Sequence, residues 1–299
     1  MAVKTKVTDF EEMGKEMCKE EWKSYVIYSY LAATEKNEKV AKKLKTIAEQ
    51  ERRHFEFWRR HVECEPPKVN LRKIKIMRKI FGTHFLLKLM ERSETDAIKC
   101  YKRLLEEAKD EETKRELEEI LKDEMYHENE LIKDVEDIRV KYLGYIALGL
   151  ADAVVEVTGV HAGFLGATAN TILAGLAGII VGFSASLSMS GAAYLQAKHD
   201  PSVSPPVSAG ITGLAYILSV VLLALPYFII HNIWGAFVAS LMVAMAILGA
   251  FIYYSSVIQD KNFMREYVES VTLLMLTAFG SFAFGKVMEM IIGTSIFGH

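Results

Sequence analysis

The sequence contains little cysteine and no cysteine motif. Its three cysteines are Cys18, Cys64 and Cys100, and none of them forms a Cys-x-x-Cys pair or a zinc-site spacing. This pattern argues against a zinc site or a rubredoxin-type iron site in the chain. We expect buried or free thiols in a reducing compartment.

The chain also lacks an excess of charge of one sign, since its formal net charge is −2. The charges are unevenly placed: 32 of the 36 Lys and Arg residues and 31 of the 38 Asp and Glu residues lie at or before residue 141. Neither half has a large excess of one sign, so composition gives no support for a nucleic-acid partner. We expect a charged soluble domain over residues 1–140 and a membrane domain over residues 141–299.

No long apolar run occurs before residue 141, so we expect no cleavable signal at the N-terminus. The second half supplies five apolar segments, each long enough to cross a hydrocarbon core about 30 Å thick. They lie near residues 142–165, 169–197, 207–230, 233–257 and 267–292.

Positive charges mark one side of these predicted spans. Lys133, Arg139 and Lys141 precede the first span, Lys198 follows the second, and Lys261 and Arg265 follow the fourth. The positive-inside rule therefore places the first half in the cytoplasm and His299 outside. We expect a multi-pass protein, with a prokaryotic plasma membrane as the favoured location.

Helical periodicity dominates the first half, with four long amphipathic segments near residues 8–36, 37–64, 84–109 and 111–140. The predicted fold class is all-α, a four-helix bundle followed by a five-helix transmembrane domain. Between the helix pairs, Pro66 and Pro67 break the chain and a basic amphipathic connector follows within residues 66–83. Two interpretations of this connector stand: a helix on an anionic membrane surface, or a linker packed against the bundle.

A set of metal-binding residue types occurs twice, 73 residues apart. In each copy a glutamate is followed by a tyrosine seven residues later and by a Glu-x-x-His 30 residues later. Residues at i and i+3 share a helix face, so each Glu-x-x-His directs a carboxylate and an imidazole to one point. The two copies are Glu21, Tyr28, Glu51 and His54, then Glu94, Tyr101, Glu124 and His127.

Four carboxylates and two imidazoles that converge from four helices predict a two-metal site for iron or manganese. A single Glu-x-x-His occurs readily by chance in Glu-rich helices, but two copies with equal spacings are far harder to obtain by chance. We expect Glu51 and Glu124 to bridge the metals, with Glu21, Glu94, His54 and His127 as terminal ligands. We expect Tyr28 and Tyr101 to hydrogen-bond the terminal carboxylates across the bundle.

These residues resemble the ferritin-like family, specifically its rubrerythrin-type branch, over roughly residues 8–138. The resemblance implies a di-iron centre, with Glu91 as a further carboxylate ligand or, equally, a solvated surface glutamate. Rubrerythrins that reduce peroxide usually carry a rubredoxin-like iron centre, and this sequence has no cysteine spacing for one.

The first predicted span carries two carboxylates, Asp152 and Glu156, four residues apart and so on one helix face. Charges within a membrane are costly and indicate function. Two ionised carboxylates would repel, which favours a shared cation or a shared proton. Met189, near the end of the second span, offers a thioether ligand for a transition metal, although a methionine there also packs readily.

Residues 145–197 resemble the vacuolar iron transporter family, through Gly149-Leu-Ala-Asp152-Ala and Ser188-Met189-Ser-Gly-Ala-Ala-Tyr194-Leu. Two features depart from that family. Ala193 stands where a glutamate commonly precedes the tyrosine, and residues 198–206 replace a helical, glutamate-rich metal-binding insert. An N-terminal domain that captures metal would account for the second departure.

The whole chain resembles the membrane-bound ferritin type of protein, a ferritin-like domain fused to such a transporter. This implies a homodimer that exports Fe²⁺, or Mn²⁺, from the cytoplasm in exchange for protons, with Asp152, Glu156 and Met189 as the pathway. Two alternatives stand. The first is a membrane-anchored di-iron oxidase or peroxidase, and the second is a metal sensor that gates the membrane domain.

Overall fold

The computed structural model describes residues 9–130, 137–168 and 170–292, and the regular structure in these ranges is helical. This confirms the all-α prediction. The predicted positions of Lys133 and His299 lie outside the described residues. The chain divides into two compact units, Met1–Asp137 and Ile138–His299.

Over residues 9–130, the first unit contains four long helices and one short helix. Asn37 caps α2 by accepting hydrogen bonds from the backbone N–H groups of Lys39 and Val40, and Asp110 accepts one from Thr113 at 2.8 Å before α5. These caps explain why the chain turns tightly within each helix pair. The helices are α1 (Asp9–Thr34), α2 (Glu38–His61), α3 (Leu71–Phe81), α4 (Thr83–Glu107) and α5 (Glu111–Glu130).

The basic connector forms α3, which Asn70 caps through the backbone N–H groups of Arg72 and Lys73. Ile74 and Met77 pack against a buried cluster that includes Tyr28 and Leu87. These contacts support the interpretation of a linker packed against the bundle. The membrane-surface interpretation stays a prediction, and Ile76 and Ile80 are exposed on α3.

The prediction of free thiols was wrong for two of the three cysteines. Cys18 on α1 forms a disulfide with Cys64, which follows α2, and their Cα atoms are 6.5 Å apart. The cysteines are 46 residues apart in sequence, and only the packing of α1 on α2 brings them together. Cys100 is a free, partly buried thiol.

The second unit contains five helices long and apolar enough to span a membrane. The first of them lies at the centre of the unit and packs against the other four. Small residues allow close approach, because a Cβ added at Gly149 would lie 2.2 Å from the Thr212 carbonyl oxygen. After the short α6 (Ile138–Lys141), the helices are α7 (Leu143–Thr168), α8 (Thr171–Ala197), α9 (Pro205–Ile229), α10 (Ile233–Gln259) and α11 (Phe263–Ile292).

Gly178 on α8 makes room for a buried imidazole on α7. A Cβ at this position would lie 2.2 Å from His161 Nε2, and the His161 ring already packs against Tyr227, with ring centroids 4.2 Å apart. We expect Gly178→Ala to destabilise the second unit by about 1–3 kcal/mol, the usual cost of overpacking. Thermal unfolding in detergent measures the change.

Gly191→Ala is the matched control on the same helix, because a Cβ at Gly191 meets no atom within 4 Å. The double variant Gly178→Ala/His161→Ala should recover part of the loss. Equal unfolding temperatures for Gly178→Ala and Gly191→Ala would contradict the steric explanation.

Candidate metal centre

Six buried side chains from α1, α2, α4 and α5 converge inside the first unit. They form two donor groups, and within each group the ligand atoms lie within 4.8 Å of one another. Glu51 and Glu124 belong to both groups, which suits the predicted bridging positions. The first group is Glu21, Glu51, His54 and Glu124, and the second is Glu51, Glu94, Glu124 and His127.

Each histidine presents Nδ1 to the carboxylates. His54 Nδ1 lies 3.0 Å from Glu124 Oε1 and 3.4 Å from Glu21 Oε2. His127 Nδ1 lies 3.2 Å from Glu51 Oε1. Both rings therefore point the same nitrogen at the shared interior of the cluster.

The other ring nitrogen of each histidine is held by a residue that the sequence analysis missed. His54 Nε2 lies 3.2 Å from Asp123 Oδ2, and His127 Nε2 lies 3.1 Å from Gln50 Oε1. Partners of this kind fix the orientation of metal-binding histidines. Gln50 and Asp123 directly precede Glu51 and Glu124, so they follow the same 73-residue repeat, and that repeat was the available clue.

Each of the two tyrosines hydrogen-bonds a glutamate of the other repeat. Tyr28 donates to Glu94 Oε1 at 2.5 Å, and Tyr101 donates to Glu21 Oε1. Tyr101 also accepts a hydrogen bond of 2.9 Å from the Trp58 indole N–H. Each predicted terminal carboxylate is thus oriented by the tyrosine of the other repeat.

The unsatisfied hydrogen-bonding capacity of the cluster indicates that it can hold a pair of metal ions. Among the described residues, five buried atoms of this cluster that could bind a metal have no hydrogen-bond partner, although they lie close together. Buried polar atoms usually have a partner, and two metal ions, one in each donor group, would satisfy all five. These atoms are Glu51 Oε1, His54 Nδ1, Glu94 Oε2, Glu124 Oε1 and His127 Nδ1.

Three of the four carboxylates of the metal-free cluster favour their protonated forms. Glu21 is the exception, because burial raises its pKa but the contacts with His54 outweigh burial and lower it. Burial and the neighbouring charge of Glu124 raise the pKa of Glu94 to about 8. Burial and Glu21 raise the pKa of Glu124 to about 7, and burial and Glu124 raise that of Glu51 well above its ordinary value. Four carboxylates cannot all ionise in so small a buried volume without bound cations.

The two histidines differ in charge. Burial lowers the pKa of His54, but its contacts with Asp123 and Glu124 outweigh burial and raise that pKa well above its ordinary value. Burial and the charge of His54 lower the pKa of His127 to about 4. His127 is therefore already neutral, as a metal ligand must be, whereas His54 must lose a proton when metal binds.

We expect metal binding to release more protons at pH 6 than at pH 9. Glu94 and Glu124 have raised pKa values of about 8 and 7, so both are protonated at pH 6 and both are ionised at pH 9. Metal competes with these protons, so affinity should rise with pH by up to about tenfold per proton per unit until pH 8 is passed. Calorimetry of Mn²⁺ binding in buffers of different ionisation enthalpy measures the release.

The same protonation of Glu94 affects the stability of the metal-free protein. The folded state holds a proton on Glu94 that the unfolded state loses above pH 4.5, so this contribution to stability is lost as pH rises towards 8.

Proton release on metal binding that does not vary between pH 6 and pH 9 would contradict these protonation states. Glu94→Gln is the control and should lower the release at pH 7.

Glu91 lies outside both donor groups. Its Oε2 atom is 2.5 Å from Lys88 Nζ, one turn earlier on α4, and both side chains are largely buried. Its charge contributes to the raised pKa of Glu94. The structure thus places Glu91 beside the cluster, in an ion pair.

A second group of polar side chains lines a groove in the apolar unit. Asp152 and Glu156 on α7 face Ser184, Ser188 and Met189 on α8 across this groove. The sequence analysis named three of these residues, which the structure places together. It missed Tyr216 on α9, whose hydroxyl donates to Glu156 Oε2 and fixes that carboxylate.

Comparison with known protein families gives a match to the Rubrerythrin family over residues 15–134. No curated protein matches the chain, and no solved structure matches it. The matched residues contain all six donors of the metal centre and both tyrosines. Residues 15–134 are therefore a rubrerythrin-type, ferritin-like domain, and five apolar helices follow it in the chain.

Proposed function

We propose that this protein exports Fe²⁺ from the cytoplasm across a membrane, and that its ferritin-like domain captures or senses the metal. The observation that carries the proposal is the groove lined by Asp152, Glu156 and Met189. Two carboxylates and a thioether on adjacent apolar helices form a cation site, and a helix that serves only as an anchor has no use for one.

Several details of the groove suit a divalent transition metal. Asp152 is exposed at the groove, whereas Glu156 is partly buried and held by Tyr216. Met189 supplies a soft thioether ligand, which favours a transition metal such as Fe²⁺ over magnesium. Proton exchange is the proposed driving force, with Asp152 or Glu156 carrying the returning proton. Lys198 and Lys261, in the connections after α8 and α10, support the proposed orientation.

The ferritin-like domain supplies the metal to this route in the proposal. Its six donors would hold two Fe²⁺ ions, with Mn²⁺ as the second candidate, and Glu51 and Glu124, which belong to both donor groups, are the proposed shared ligands. The match of residues 15–134 to the Rubrerythrin family supports iron at this site. We further propose a homodimer, as the resemblance to the vacuolar iron transporter family implies.

Fe²⁺ flux into proteoliposomes under an imposed pH gradient tests the proposal. Intact protein should carry Fe²⁺ at a rate that depends on the gradient, and Glu51→Ala should lower that rate without abolishing it. Absence of flux, together with consumption of O₂ or H₂O₂ on adding Fe²⁺, would instead indicate a membrane-anchored oxidase or peroxidase. Gradient-dependent flux that Glu51→Ala leaves unchanged would exclude a role of the metal centre in transport.

A further inference from the structure

The Cys18–Cys64 disulfide belongs to the ferritin-like domain, and neither cysteine is a member of the two donor groups of the metal site. Cys18 is fully buried, and Cys64 is partly exposed after the end of α2. Disulfides in cytoplasmic proteins are rare and are usually transient, catalytic or redox-sensing. Since we place this domain in the cytoplasm, a redox role explains this pair better than a static cross-link does.

The disulfide lies close to the metal centre along α1. Cys18 is three residues before Glu21, which is just under one helical turn and about 4.5 Å along the axis. In the 73-residue repeat, Cys18 takes the position that Glu91 takes before Glu94. The cysteine thus stands beside the cluster at the position where the other repeat carries a carboxylate.

Packed aromatic side chains connect the two features. Cys18, Trp58 and Tyr101 belong to one buried cluster. The Trp58 and Tyr101 rings stack with centroids 6.0 Å apart, the Trp58 N–H donates to the Tyr101 hydroxyl at 2.9 Å, and that hydroxyl donates to Glu21. Cys18 thus shares one buried cluster with two aromatic side chains, and one of them, Tyr101, hydrogen-bonds Glu21.

We propose that Cys18 and Cys64 form a dithiol–disulfide couple that returns Fe³⁺ in the metal centre to Fe²⁺. Two thiols become one disulfide and release two electrons and two protons, and two Fe³⁺ ions become two Fe²⁺ ions. The two electrons that the dithiol releases equal the number that two Fe³⁺ ions accept. The proposal rests on the proposed function, because Fe³⁺ formed by peroxide is a poor cargo for a Fe²⁺ route.

Regeneration follows from the exposure of the two sulfurs. A small thiol attacks Cys64, which is the partly exposed sulfur, and forms a mixed disulfide as the Cys18 thiolate leaves. A second small thiol attacks the small-molecule sulfur of the mixed disulfide and releases Cys64 as a thiolate. Two external thiols thus become one external disulfide, and both cysteines are reduced again.

The test uses the full chain in detergent, reduced, freed of reductant and loaded anaerobically with two equivalents of Fe²⁺. One equivalent of H₂O₂ is added, the thiols are alkylated at intervals, and peptide mass spectrometry quantifies the Cys18–Cys64 disulfide. A ferrous chelator measures Fe²⁺ in parallel samples. We expect one disulfide per H₂O₂ and full recovery of Fe²⁺.

Three comparisons make the result specific. Metal-free protein should form the disulfide at least about tenfold more slowly, and Tyr101→Phe should slow it by a similar factor, the usual effect of losing a partner of a metal ligand. Cys64→Ser, at a partly exposed position, should leave the iron ferric. Cys100→Ser is the matched control and should behave as the unaltered protein.

Disulfide formation at the same rate with and without iron would overturn the proposal and leave the bond as a structural cross-link. Persistent Fe³⁺ beside reduced Cys18 and Cys64 would overturn it as well. Both measurements are made in detergent without a gradient. A failure of Fe²⁺ flux in proteoliposomes is therefore distinguishable from a failure of this redox couple.

Discussion

Asp152→Asn is expected to abolish gradient-driven Fe²⁺ flux and to leave metal binding by the ferritin-like domain unchanged. The substitution keeps the size of the side chain but removes the charge at the exposed end of the groove that Glu156 and Met189 also line. An amide neither holds Fe²⁺ as a carboxylate does nor carries a returning proton. Flux into proteoliposomes and metal content of the purified protein are the two measurements.

Glu269→Gln is the control for this prediction, because it also removes a carboxylate from the apolar unit. Glu269 lies on α11 in an exposed ion pair with Arg265, with 3.0 Å between Oε1 and Nε, and it does not line the groove. Its flux should match that of the unaltered protein. Retained flux in Asp152→Asn, or loss of flux and of bound metal together, would contradict separate sites for capture and passage.

Glu124→Ala is expected to remove both metal ions from the ferritin-like domain. Glu124 belongs to both donor groups, whereas Glu94 and His127 belong only to the second. Loss of a shared ligand should lower affinity by more than the roughly 10–100-fold that loss of an outer partner costs. Glu94→Ala should spare the first group, so metal analysis should distinguish the two variants by the number of ions bound.

The stability of the domain gives an independent measure of the same substitution. A ligand at 100 times its dissociation constant stabilises the folded state by about 2.7 kcal/mol, so Mn²⁺ should raise the unfolding temperature of the unaltered protein. That rise should disappear in Glu124→Ala. Glu116→Gln is the control on the same helix, since Glu116 pairs with Arg60 at the surface, with 3.0 Å between Oε2 and Nη2. A normal Mn²⁺-dependent rise in Glu124→Ala would show that Glu124 is not a ligand.

The carboxylate and histidine cluster was predictable from sequence because helical geometry is local. A Glu-x-x-His places its two donors on one face whatever the tertiary structure, and the repeat supplied the second pair. The partners of the histidines were harder to find, because Asp123 serves His54 and Gln50 serves His127 across the bundle. Their contacts depend on how α2 and α5 pack, which spacing within one helix does not specify.

The helical class, the division of charge between two halves, the five apolar helices and the residue types of the candidate metal centre were all predictable from the amino-acid sequence. Each follows from composition or from periodicity along one helix. Three features emerged only from the packing of the helices: the Cys18–Cys64 disulfide, the hydrogen bond from Tyr216 to Glu156, and the space that Gly178 leaves for His161. These contacts join residues on different helices, and they depend on the register at which those helices pack, which short-range periodicity leaves free.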